Sequence, residues 1–170
     1  MDIFVEQIIK KKMSKTDILV FIGVLLVNFL IIALLAVYIP MILLPALVGI
    51  FALDYYLISS RSLEYEYSVT NSDLTIDKII NRRNRKKVIS IDAHDIESLG
   101  KYRREDHAKQ SYSAKFTASR CESGKDAWCI VARHAQKGNV LVLFSPNEKI
   151  LAAMKPYLSR QVAVNAFGRN

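Results

Sequence analysis

The chain has 170 residues, a formal net charge of +8 and a sequence pI near 9.5. At this length it can hold a membrane anchor plus one domain, and the roughly 110 residues after Ser60 are enough to bury a modest core. The excess of cations points to an anionic partner, lipid headgroups before nucleic acid, and two cysteines, Cys121 and Cys129, exclude a disulfide framework.

Residues 1–13 place Met1, Phe4, Val5, Ile8 and Ile9 on one helical face, with Asp2 and Glu6 early and Lys10, Lys11 and Lys12 late. Acid at the start and base at the end complement a helix dipole, which predicts a short amphipathic helix on the bilayer surface. The alternative is a positive flank that only orients the first apolar span. A cleaved signal peptide is not expected, because the apolar core starts late and is too long.

From Ile18 to Leu53 no side chain is charged. A straight helix of that length would reach roughly 54 Å, against a hydrocarbon core of about 30 Å, so one span is too few and two fit. The expectation is a transmembrane helical hairpin over residues 18–58, with the first span from Ile18 to Val37, a turn from Tyr38 to Met41 and Asp54 near the headgroups. Pro40 and Pro45 leave the start of the second span open, since either suits a first helical turn. Lys10, Lys11, Lys12 and Lys15 precede the first span, Arg61 follows the second and the turn between them has no charge. The positive-inside rule then places both termini in the cytoplasm of a multi-pass protein of the cell membrane, where the cysteines remain thiols. Folding the hairpin about Tyr38 brings Asn28 level with Gly49, a small residue that lets an amide approach and bond across the helices or to a second copy. The other reading of Asn28 is a polar element in a transport path.

After Leu63 the period changes to two: Leu63, Tyr65, Tyr67 and Val69 alternate with Glu64, Glu66, Ser68 and Thr70. Asn71, Ser72 and Asp73 read as a turn, and Leu74 to Ile80 as a second strand with Lys78 at a bulge. Val88 to Ile91, Ile96 to Tyr102, Tyr112 to Ser119, Ala127 to Arg133 and Val140 to Phe144 complete seven strands. Ser145, Pro146, Asn147 and Glu148 then spell a capping box, and Ile150, Leu151, Met154, Tyr157 and Leu158 make one apolar stripe that Pro156 should bend or end. The domain is expected over residues 63–159, with a flexible tail over 160–170.

Seven antiparallel strands closed by one carboxy-terminal helix, with the opening hairpin YEYSVTNSDLTI behind paired apolar segments, resemble bacterial PH-like domains. MDIFVEQIIKKK and DKIINRR also resemble an uncharacterised family of small bacterial two-span membrane proteins. The resemblance implies a mainly β, PH-like seven-stranded barrel or sandwich behind the helical hairpin, and no activity. Phosphoinositide-binding PH domains carry basic residues at the first hairpin turn, where this chain has Asn71, Ser72 and Asp73. Eukaryotic PH domains tend to carry a tryptophan in the closing helix, whereas the only one here, Trp128, falls on a strand, a departure from that branch of the family.

An up-and-down strand order would return the turn NRRNRKK, with Arg82, Arg83, Arg85, Lys86 and Lys87, toward the membrane, and with it Lys101, Arg103 and Arg104, then Arg133 and Lys137. Asp73, Asp92, Asp95, Glu122 and Asp126 would fall at the other end, an imperfect sorting in which Glu105 and Asp106 lie on the basic side and Arg120 and Lys125 on the acidic one. The first eight of these cations form the candidate lipid-binding surface, each worth about 1 kcal/mol beside an anionic leaflet. Cys121, Cys129 and His134 match no common zinc spacing, His94 and His107 lie in polar turns with no evident nucleophile, and the basic run lacks the interleaved aromatics of nucleic-acid binders. No cofactor, metal, nucleic acid or catalytic residue is therefore expected. The reading is a membrane-anchored cytoplasmic module that engages an anionic lipid surface or a partner protein. The alternative is an accessory subunit of a membrane transport or envelope complex.

Overall fold

A computed structural model describes residues 3–108 and 110–168. The chain divides into a helical unit, residues 13–62, and a mainly β unit built from residues 3–12 together with 63–168.

The helical unit contains α1 (Lys15–Tyr38), a 3₁₀ turn (Pro40–Ile42) and α2 (Leu43–Ser60). Ser14 caps α1, its N–H donating to the Asp17 carboxylate at 3.0 Å. The segments Lys15–Tyr38 and Pro40–Ser59 are each long and apolar enough to cross a membrane, and neither buries its apolar window inside the protein. Pro40 opens the 3₁₀ turn and Pro45 lies in the first turn of α2, positions where a missing N–H costs nothing. Two polar contacts set the pair antiparallel. Arg61 Nη1 lies 3.1 Å from Asp17 Oδ1, and Asn28 Nδ2 donates to Asp54 Oδ2 at 2.8 Å. Asn28 therefore meets Asp54 and not Gly49, where an added Cβ would find open space within 4 Å. A carboxylate is the stronger acceptor, and it draws the amide to itself over a bare stretch of backbone. The other oxygen, Asp54 Oδ1, is buried with no hydrogen bond among the described residues.

Residues 1 and 2 lie outside the described residues, but Phe4–Lys10 is a strand, β1, where an amphipathic helix was expected. Seven residues make too short a helix to hold alone in water. As a strand they pair along their whole length with β2 (Leu63–Thr70), from Phe4 opposite Thr70 to Lys10 opposite Glu64. Ile9 is buried, Val5 packs on the core, and the Gln7 side chain clamps the far sheet, donating to Ser145 O at 3.2 Å and accepting from Asn147 N at 2.8 Å. The helical unit is thus inserted in the connection between two adjacent strands, and the Lys11 N–H donates to Leu63 O at 3.0 Å where that connection begins and ends.

The first sheet continues through β3 (Asp73–Ile80) and β4 (Asn84–Asp92) in the order β1-β2-β3-β4. Its register slips between Ile76 and Asp77, one residue before the expected bulge at Lys78. The second sheet holds β5 (Ile96–Lys101), β6 (Ala114–Ala118), β7 (Trp128–His134) and β8 (Gly138–Phe144) in the order β5-β7-β8-β6. Among the described residues there are eight strands, one more than expected, in two sheets that no strand pairing closes into a barrel. β6 pairs parallel to β8, which an up-and-down order forbids.

The cause lies in residues 102–108 and 110–112, which contain α3 (Arg104–His107) and run as a strap across the outer face of the second sheet. There Cys129, Val131, Leu141 and Leu143 form a second apolar cluster that Tyr102 and Tyr112 cover. Covering that face carries the chain to the opposite end of the sheet before β6 begins, and so reverses β6.

Between the sheets, Tyr67 and Phe144 pack edge to face at 5.7 Å. The Tyr67 hydroxyl donates to Ala118 O and accepts from Ser145 N at 3.1 Å. The closing helix α4 (Glu148–Met154) is capped by Asn147, two residues later than the expected Ser145, through its Oδ1 and the Ile150 N–H at 2.9 Å. Pro156 ends it in a 3₁₀ turn as expected. Residues 160–167 are not a loose tail but a further helix, α5 (Arg160–Phe167), capped by Ser159, with Val162 buried and Phe167 6.2 Å from Trp128.

Because β1 belongs to the domain, a fragment starting at Leu63 should fail. We expect residues 63–170 to be insoluble or molten, and residues 1–12 joined to 63–170 by a short glycine-serine linker to give a soluble protein with a cooperative melt. Circular dichroism and thermal denaturation of both fragments check this, and equal stability would remove β1 from the fold.

Candidate functional site

The candidate site grows from the end of the β unit at which the chain enters and leaves it. Lys10, Lys11 and Lys12 close β1 there, and Leu63, the first residue of β2, pairs with Ile80, the last of β3. The β3–β4 turn therefore lies beside both connections. Asn81 and Arg82 adopt φ of +53° and +54°, and the Arg83 N–H returns to Ile80 O at 3.2 Å, the geometry of a tight primed turn that matches the twist of the strands. The turn, shorter than the expected 81–87, brings Arg82 and Arg83 to this end, and the start of β4 brings Arg85, Lys86 and Lys87, all exposed.

Not all five are free. Arg82 Nε lies 3.5 Å from Glu64 Oε1, and Arg85 Nη2 lies 3.3 Å from Glu66 Oε2. Glu64 and Glu66 point away from the core on β2 yet are only 8% and 7% exposed. Two of the arginines thus compensate buried carboxylates, which would otherwise be costly to desolvate. Arg83, Lys86 and Lys87 have no carboxylate partner among the described residues.

Glu66 stands out further. Its carboxyl is pushed up to about 7, first by a hydrogen bond with the Glu6 side chain on the neighbouring strand and then by burial, with Arg85 opposing and Glu6 and Asp77 adding repulsion. The Arg85 contact is ionic in distance without hydrogen-bond alignment, since Oε2 has no hydrogen-bond partner.

The second sheet sends Lys101, Arg103 and Arg104 to the same end. Lys101 pairs with Trp128, which pairs with Phe144, and the neighbouring Arg120 O accepts from the Lys12 N–H at 2.8 Å. The charge map needs two corrections, both due to the reversed β6. Glu122, expected at the distal end, sits at the proximal one, 3.5 Å from Lys11 Nζ, and the loop it shares with Asp126 goes with it. Arg133 and Lys137, expected near the membrane, lie at the distal end with the β7–β8 turn, where Arg133 pairs with Glu97 at 3.3 Å. Asp73, Asp92 and Asp95 are distal as expected, with Ala93 N bonded to Ser72 O. The His94 N–H and ring hold the Asp92 carboxyl below its ordinary value.

One arrangement had no signal in the sequence. His107, from the strap, lies with Nε2 3.3 Å from Cys129 Sγ and Nδ1 2.6 Å from the Tyr112 hydroxyl, which donates to Gln110 Oε1. Its ring stacks on Tyr102 at 5.6 Å and 10°. Burial pushes the Cys129 thiol up to about 11, partly opposed by its own backbone hydrogen bonds and raised further by Asp106, so thiolate is scarce at neutral pH. The members are 22 residues apart in sequence, and only the folded strap joins them. Among the described residues no group of three or more His, Cys, Asp or Glu side chains could hold a metal ion.

Compared with known proteins, residues 1–164 match the sequence model of a bacterial PH-like domain (DUF6106). No curated protein and no solved structure matches.

The Glu66 carboxyl makes a pH prediction. Its folded value, about 7, lies above that of an ordinary carboxylate, so the stability it contributes is complete below about pH 4.5 and is lost as pH rises through 7. Thermal melts of the full chain in detergent should show the wild type losing roughly 5 °C relative to Glu66→Gln between pH 5 and 8. Parallel curves would mean that Glu66 does not titrate in this range.

Proposed function

We propose, from the premise that this chain belongs to the bacterial PH-like domain family, that it is a membrane-anchored binding module. PH-like domains are in general non-catalytic binders, so the question is what this one binds and where. The reading places α1 and α2 across the cell membrane, both termini in the cytoplasm, and the proximal basic end of the β unit against anionic headgroups.

The observation that carries it is the insertion of the apolar helices between β1 and β2. Their two ends are fixed to neighbouring residues by the Lys11 to Leu63 hydrogen bond, so if the helices span, they cross an even number of times and return to the side of the domain. The lysines before α1 and Arg61 after α2 make that side the cytoplasmic one. The same connections tether Arg83, Lys86, Lys87, Lys101, Arg103 and Arg104 within reach of the leaflet, where negative surface potential attracts them.

Two measurements test the reading. Tags at the two termini should both resist protease in intact cells and both be cut in inverted vesicles; opposite behaviour of the two tags would end the hairpin topology. The linker-joined β unit should float with phosphatidylglycerol vesicles and not with phosphatidylcholine ones, and Arg83→Glu with Lys86→Glu and Lys87→Glu should weaken that binding by at least about 100-fold at low salt. Binding indifferent to lipid charge and to salt would remove the lipid surface as partner.

A further inference from the structure

The strap leaves a cleft of about 500 Å³ between itself and edge strand β6, on the outer face of the second sheet. Both ends of the strap are fixed, Tyr102 N to Ala127 O and Ser113 N to Asn139 O, each at 2.8 Å. Leu141 and Leu143 form the floor, and Lys115 and Thr117, which pair with them across the parallel β6–β8 ladder, stand on the same face. Arg104 comes from α3, and Ser123 and Glu122 come from the β6–β7 loop.

The walls are preformed. Tyr102 stacks on His107 and presses against Gly124, whose φ is +70° and where an added Cβ would stand 2.7 Å from Tyr102 Cδ1. Both nitrogens of His107 are occupied by Tyr112 and Cys129, so the imidazole serves as wall and not as ligand.

The cleft is cationic over an apolar floor. Glu122, its one acid, is matched by Lys11, while neither Arg104 nor Lys115 has a carboxylate partner among the described residues. Two cations without a carboxylate partner, Lys115 resting over the Tyr112 ring at 5.5 Å, with two hydroxyls and two leucines are a donor set for a phosphodiester joined to a small polyol, and the volume falls within the range of ordinary ligand sites. The Glu122 to Lys11 bridge puts the mouth beside the residues that lead into the apolar helices. We propose that this cleft seats the phosphodiester headgroup of one anionic phospholipid, held by Arg104 and Lys115 with Thr117 and Ser123. The proposal rests on the membrane reading above and adds to it one defined site, apart from the basic β3–β4 turn.

Hydrogen exchange of the full chain in nanodiscs tests it, comparing phosphatidylglycerol-containing with phosphatidylcholine-only discs. We expect amides of 103–108 and 119–124 to exchange more slowly by on the order of tenfold with phosphatidylglycerol, together with the turn at 81–87. Arg104→Gln with Lys115→Gln should abolish the first effect and spare the second. Protection of the turn alone, or of the cleft unchanged in the double variant, overturns the site and leaves surface docking standing. Protection of neither overturns both. Equal protection by inorganic phosphate in phosphatidylcholine discs assigns the cleft to free phosphate and overturns the lipid.

Discussion

The pairing of β1 with β2 is the constraint on which everything else depends. Joining two adjacent strands through some fifty residues carries a loop-closure cost that grows only slowly with length, and a helical pair that closes on itself lowers it further. The Asp17 to Arg61 and Asn28 to Asp54 contacts bring the ends of that insertion together. On the β side, the clamp of Gln7 on Ser145 and Asn147 ties β1 to the start of α4, so the strand is held by the sheet and by the closing helix at once. An edge strand fixed this way also has less freedom to pair with another chain.

The cations at the proximal end have divided duties. Arg82 and Arg85 neutralise Glu64 and Glu66, which the crowded outer face of the first sheet leaves nearly dry, and Lys11 answers Glu122. Among the described residues, only the remaining positive side chains at this end carry charge that no carboxylate compensates. This lowers the field below what the count of lysines and arginines suggests, and makes it depend on particular side chains. Near pH 7 the Glu66 carboxyl changes charge, so the net charge around Arg85 varies with pH close to neutrality.

Much of the architecture could be read from side-chain period alone. The apolar pair, the alternation of β2 and the break at Pro156 are local effects, and each appears where local chemistry puts it, whereas the turn expected over residues 81–87 closes within 81–83 because β4 already pairs from Asn84. The misreadings have one kind of cause. FVEQIIK carries apolar residues at spacings that serve a helix or a strand, and only a partner some sixty residues away decides for the strand. The α5 segment has a weakly apolar composition, and it becomes a helix because Val162 and Phe167 find the core beside Trp128. The direction of β6 follows from a strap whose covering role no periodicity reveals. The eight candidate cations gather at the end where the chain enters and leaves the β unit, yet which of them were already spoken for depended on Glu64 and Glu66 being buried on a face that alternation marks as outward.

The strap also explains why a thiol, an imidazole and a phenol come together without forming a nucleophile. Gln110 Oε1 can only accept, so the Tyr112 hydroxyl donates to it and accepts from His107 Nδ1, which leaves Nε2 as an acceptor facing the Cys129 thiol, whose proton also has Gly100 O within reach at 3.5 Å. Every proton in this chain of bonds already has an acceptor, and burial keeps the thiol protonated. A group activated for attack would need the opposite, a thiolate with access to solvent. What these bonds do supply is fixed geometry. They pin the strap to the sheet at His107, stack Tyr102 against that ring, and thereby hold open the basic cleft beside β6.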